Sequence, residues 1–165
     1  MSFLINASIE ELRIGEGYRA YVAYLASIKN RLPQAAYEFA VADWHYDFTK
    51  PKCPHDAWVQ EIKIREIAEG DRHEIRTTQI EIILLGAYHD RLLRVTYPGV
   101  TSHSINSEQS HCGYGDWLID EIGLSDAGQV VHEVKFANMA RLRIESADII
   151  FQEQLTTTPY AAEWK

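Results

Sequence analysis

Basic residues are the first shortage: 16 Lys and Arg stand against 24 Asp and Glu, for a formal net charge of -8 and a sequence pI near 5.3. Nucleic acid and anionic membrane surfaces both need a basic footprint, so neither is an expected partner. Cysteine is scarce as well. Cys53 and Cys112 are the only two, and neither belongs to a CxxC pair. Two free thiols in a reducing cytoplasm are expected, with a disulfide between them as the alternative. No apolar run reaches the roughly 18 residues of a membrane span. The opening Met1-Ser2-Phe3-Leu4-Ile5-Asn6 lacks the charged n-region and long h-region of a signal peptide. A cytoplasmic location is the resulting expectation.

Motifs of the commoner enzyme classes are missing too. The sequence contains no GxGxxG and no GxxxxGK[ST], which removes support for dinucleotide or P-loop phosphate binding. It has neither a GxSxG elbow nor an HExxH helix. No repeat of fixed period and no low-complexity tract breaks the chain, and 165 residues suit a single domain with a real core.

What is present is organised around Thr78 to Tyr97. Ile80, Ile82 and Leu84 share one face of a first strand, and Leu93, Val95 and Tyr97 share one face of a second, because side chains alternate along a strand. The Gly86-Ala87-Tyr88-His89-Asp90 connection makes them an antiparallel hairpin.

Residues 8–43 carry the helical signal. Tyr18, Tyr21, Val22, Leu25, Ile28 and Leu32 recur at helical spacing, with Glu10 and Glu11 early and Lys29 and Arg31 late, the order the helix dipole favours. Pro33 divides the region into two helices. Trp44 to Pro54 reads as a loop, aromatic at its front. Residues 57–153 form the sheet part. Trp58, Ile62 and Ile64 are expected on one face of its first strand, and Ala68 to Arg72 is the turn into the central hairpin. Pro98-Gly99 bends or ends the hairpin's second strand, and Val100 to Ile105 continues it. A polar loop over Asn106 to Asp116 leads to strands at Trp117–Leu124, Val130–Phe136 and Ala140–Phe151, the last broken near Ser146. Residues 156–165 read as a loosely held tail. Short turns between successive strands favour a meander. The expected fold is therefore α+β, with N-terminal helices packed on one face of a curved, mainly antiparallel sheet; a small barrel-like sheet with helical cover is the alternative.

Histidines beside acids or aromatics are the candidate chemistry. His45, His55 and His89, with Asp56 and Asp90 beside the last two, have donors suited to a divalent metal if the turns bring them together. No pair has a two-histidine spacing that fixes two ligands on one element, and His-Asp dipeptides also cap turns. No cofactor is therefore expected, and a divalent metal is the alternative. His132 falls in phase with Val130, Val134 and Phe136, and Asp120 with Leu118, Ile122 and Leu124. Both point inward, and a contact between them on neighbouring strands is the best-placed acid–base pair in the chain, or a purely structural one. His111-Cys112 is a poor nucleophile pair, because sequence neighbours rarely align for activation. Trp44, Tyr46, Phe48 and Trp58 form either an aromatic binding platform or core that seals the loop. Glu61, Glu66, Glu69, Asp71, Glu74 and Glu81 border the first turn and its strands, where they form a solvated face or an acidic edge for a basic partner.

The runs Leu84-Leu85-Gly86-Ala87-Tyr88-His89-Asp90, Tyr97-Pro98-Gly99-Val100, Gly115-Asp116-Trp117-Leu118-Ile119-Asp120-Glu121 and His132-Glu133-Val134 give the chain a likeness. Over about Tyr37 to Glu153 it resembles a group of uncharacterised bacterial proteins with no assigned activity, similar in style to small acidic accessory or immunity-type proteins. These are turn-and-strand signatures, and the resemblance implies a shared fold at least as much as a shared site. The leading expectation is a non-enzymatic cytoplasmic module that binds a basic protein through an acidic or aromatic surface. A small metal-dependent enzyme built on the loop His and Asp residues is the alternative. Self-association through an exposed sheet edge is a further expectation.

Overall fold

The computed structural model describes residues 2–6, 15–107 and 113–157. Helix α1 (Glu16–Ile28) and helix α2 (Gln34–Ala40) are separated where Pro33 takes an extended ψ of 149°. A proline cannot donate the amide bond that helix continuation needs. The first seven positions of the expected helical region, 8–14, lie outside the described residues. Tyr21, Leu25, Ile28 and Leu32 are buried as the periodicity requires, whereas Tyr18 and Val22 stay half exposed at the flank.

Eight strands follow: β1 (Trp58–Glu69), β2 (Ile75–Leu85), β3 (Arg91–Val100), β4 (Ser102–Asn106), β5 (Trp117–Leu124), β6 (Val130–Phe136), β7 (Arg141–Ser146) and β8 (Ile150–Leu155). Every pairing is antiparallel. They make two four-stranded sheets, ordered β1-β2-β3-β8 and β4-β7-β6-β5. The single curved sheet expected from the short turns is thus two sheets, and neither closes into a barrel. The reason lies at two corners. Gly99 adopts a left-handed φ of 58°, and a Cβ there would sit 3.1 Å from that of Ala147. The chain swings from β3 into β4 at this point and returns between β7 and β8. Thr101 N–H donating to Glu145 O, and Ala147 N–H to Pro98 O, tie the corner.

Ile80, Ile82, Leu84, Leu93, Val95 and Tyr97 line the inner face of the first sheet and are essentially inaccessible. They share one core with Val130, Val134, Phe136, Leu142 and Ile144 of the second. Burying each such side chain stabilises the fold by about 1.5–3 kcal/mol. Helix α1 lies against β5, and α2 against β8 and β5.

Two bulges correct the expected faces. Between Val59 and Glu61 the register shifts by one residue, so Trp58 opposes Leu85 rather than joining Ile62 and Ile64. Between Trp117 and Ile119 a second bulge puts Leu118 out of phase and brings Trp117 onto the inner face with Asp120. An inserted residue inverts every side chain on one side of it.

The outer edge of β5 is sealed. Asp56 N–H donates to Trp117 O and Trp117 N–H to Ala57 O. His55 Nδ1 donates to Leu118 O at 2.7 Å, and Tyr46 OH to Asp120 O at 3.1 Å. Tyr21 OH accepts from Ile122 N–H at 2.6 Å and donates to Ile122 O at 3.1 Å, while Tyr24 OH accepts from Leu124 N–H. Side chains from α1 and from the loop after α2 thus occupy the positions of a missing strand.

Candidate functional site

Asp120 is the hub of a buried polar cluster. Its Oδ1 accepts from Trp117 Nε1 at 3.1 Å, and its Oδ2 accepts from His45 Nε2 at 2.8 Å and from His132 Nε2 at 2.9 Å. His45 donates its other hydrogen, on Nδ1, to Phe39 O at 2.7 Å, and Tyr97 OH donates to His132 Nδ1 at 2.8 Å. The rings of Phe39 and Tyr46 stack on that of His45, with centroids 4.3 Å away in each case. Burial pushes the Asp120 carboxyl up, and the two facing imidazoles more than offset it, holding the group well below the usual carboxylate range. Burial raises the Tyr97 hydroxyl well above its ordinary value.

The inward Asp120 and His132 are therefore in contact, and His45 is the third member. None of the three reaches solvent: their exposures are 2%, 0% and 1%. Among the described residues no buried side-chain N or O lacks a hydrogen-bond partner. A carboxylate fully occupied by protein donors and closed to substrate is a fastener, here joining α2's end and the loop to both sheets.

The metal candidates are not brought together. His55 stacks on Phe48 at 3.8 Å, with its Nε2 3.4 Å from Asp56 Oδ1. His89 sits in the β2–β3 turn at φ 55° against the ring of Trp58, and Asp90 pairs with Arg91 at 2.9 Å. His45 is in the buried cluster instead. Among the described residues, no group of three or more His, Cys, Asp or Glu is placed to hold a metal ion. Cys53 is a free thiol that donates to His45 O at 2.9 Å and is pushed up to about 11 by burial, which leaves it a poor nucleophile. His111 and Cys112 lie outside the described residues, as do 158–165 of the expected tail.

The aromatic candidates also divide. Trp44 and Tyr46 pack against the core, while Phe48 and Trp58 stay about half exposed, each against a different histidine. They do not form one platform. Nor is the expected acidic edge bare: Glu81 is buried among Arg65, Arg94 and Lys63 at 3.5, 3.4 and 4.0 Å, Glu66 lies 3.5 Å from Arg76, and Glu61 lies 2.8 Å from Lys63.

A different acidic surface lies on the outer face of the second sheet. The register sets Glu121 opposite Glu133 and Glu133 opposite Arg143. Glu121 Oε2 accepts from the N–H groups of Phe3 and Leu4 at 2.9 and 2.8 Å, so the N-terminal segment forms one wall. Gly123 makes room for Tyr24, whose ring packs on Phe3 in the same wall: a Cβ there would sit 3.0 Å from Tyr24 OH. The result is a cleft of about 430 Å³ lined by Phe3, Tyr24, Glu121, Asp126, Glu133 and Glu145, among others. Arg143 is the one cation among its described lining residues, bound to Glu133 at 3.0 Å and Glu145 at 2.6 Å. No family model, no curated protein and no solved structure matches this chain. The site must be read from its chemistry. Glu121 is held by backbone amides, and Glu133 and Glu145 share Arg143. Four carboxylates against one guanidinium still leave the described lining net negative, beside the Phe3 and Tyr24 rings packed on each other at 5.0 Å, and this suits a cationic group. The sequence signal for this cleft is acids at outward positions of successive strands, Glu121, Glu133 and Glu145, which only a strand register makes neighbours.

Proposed function

We propose that the chain is a non-enzymatic protein-binding module that takes a basic partner into the cleft over its second sheet, in the manner of a small immunity-type protein masking a cationic surface. The observation that carries this is the cleft itself, with four carboxylates and the rings of Phe3 and Tyr24 converging on one concavity. The formal net charge of -8 adds a long-range field that speeds capture of a positive partner. A cytoplasmic setting is part of the proposal and suits the free thiol of Cys53. No described geometry favours a metal-dependent enzyme.

Titration calorimetry with an Arg- and Lys-rich peptide tests the reading. Binding is expected at low salt, weakened at high salt, and reduced about tenfold or more by Glu133→Lys, a change of about 1.4 kcal/mol. No binding at low salt, or equal binding by Glu133→Lys, contradicts it.

A further inference from the structure

We propose that the free edge of β1 pairs antiparallel with the same edge of a second copy, joining two first sheets into one. The argument begins with which backbone groups are unused. Gly86 N–H donates to Arg91 O at 3.0 Å and Thr156 N–H to Asp90 O at 2.8 Å. Alternation along an antiparallel ladder then sends the backbone groups of Leu84 and Ile82 toward β3, and those of Ile83 and Glu81 toward β1. Their partners Glu61 and Lys63, and Arg65 and Ile67 beyond them, bond inward. Ile62, Ile64, Glu66 and Ala68 point their N–H and C=O groups outward, from the terminal strand of the sheet. No hydrogen bond from another described residue covers this stretch.

The side chains select the occupant and the register. With Lys63 on the two-fold axis, Ile62 opposes the partner's Ile64 and Ile64 the partner's Ile62. Glu61 opposes the partner's Arg65, and Arg65 the partner's Glu61. The two isoleucine pairs fall at outward-bonding positions, where a new ladder needs them. They also extend an apolar row that already runs through Ile80 and Ile82, which register with Ile64 and Ile62. Ile64 is 51% exposed in the single chain and is covered by this pairing. The two axial lysines are offset by Glu61 at 2.8 Å and Glu81 at 4.0 Å in each copy. Sliding either strand by two residues toward the hairpin tip brings Lys63 against Arg65 and Ile62 against Glu66, and sliding it the other way sets Ile64 against Gln60 at the bulge, so this register is preferred. At the other end Trp58 is bridged to Asp116 and Ala57 O accepts from Trp117 N–H, so the free edge stops short of them.

The test is sedimentation velocity over a range of concentrations at physiological salt, on the wild type, Glu61→Arg, Arg65→Glu and the double swap. Glu61 and Arg65 are both about half exposed, and Arg65→Glu leaves the buried Glu81 its Arg94 and Lys63 partners; thermal unfolding of each variant checks that the fold is kept. A concentration-dependent dimer is expected, with its dissociation constant raised tenfold or more by either single change and recovered by the double swap. A wild type that stays monomeric at millimolar concentration overturns the proposal. So does a dimer indifferent to the single changes, or one that the double swap does not restore.

Discussion

The two sheets end in edges treated in opposite ways. Along β5, three tyrosine hydroxyls, a histidine and a short backbone bridge satisfy the groups that a further strand would have taken. Along β1, residues 62–68 present those groups to solvent. The covered edge is where the chain fastens its helices and loop, and beneath it lies the Asp120 cluster. The open edge is where the chain has surface to offer. The polar side chains at the first are consumed by folding, which leaves little there for chemistry. At the second, the half-exposed Ile64 and the outward backbone groups do nothing for the single chain.

The largest effect expected from breaking this contrast is at the cluster. Asp120→Ala leaves two buried imidazoles facing no acceptor, and urea unfolding should show a loss of about 3–5 kcal/mol. The loss depends on pH. The carboxyl is held below its ordinary value in the folded protein, so its stabilisation is complete above the unfolded value of about 3.9 and disappears as pH falls through the lower folded one. The gap between wild type and Asp120→Ala should therefore narrow below about pH 4; a gap that stays constant or widens there contradicts the ion-paired assignment. A smaller effect is expected at the edge itself. Tyr21→Phe removes the hydroxyl that serves both N–H and C=O of Ile122, and should cost about 1–3 kcal/mol in the same assay. A loss within about 0.5 kcal/mol, the range of ordinary surface changes, means that water replaces the hydroxyl and the edge is not sealed by it.

Alternation along strands was readable and fixed the central hairpin: Ile82 opposes Val95 and Leu84 opposes Leu93 in the structure, as the two apolar rows require. The same alternation turned Asp120 and His132 inward and made their contact legible, since they lie on successive strands joined by a short turn. Pro33 marked the helix break through its missing amide proton. The bulges were not legible, because a single inserted residue leaves composition unchanged while reversing a face; Trp58 and Leu118 were misplaced for that reason. His45 joins Asp120 across 75 positions of chain, a contact that no local spacing encodes. The division into two sheets depends on close packing of Gly99 against Ala147, and the acidic cleft depends on a register across three strands. Local pattern says which way a side chain points; it does not say what stands opposite.

Residue-resolved amide hydrogen exchange on a dilute sample tests the contrast between the edges most directly. The amides of Ile122 and Leu124, bonded to tyrosine hydroxyls, should exchange only with global unfolding, while those of Ile62 and Ile64 exchange orders of magnitude faster. Equal protection on both edges, or faster exchange at Ile122 than at Ile64, would contradict the account.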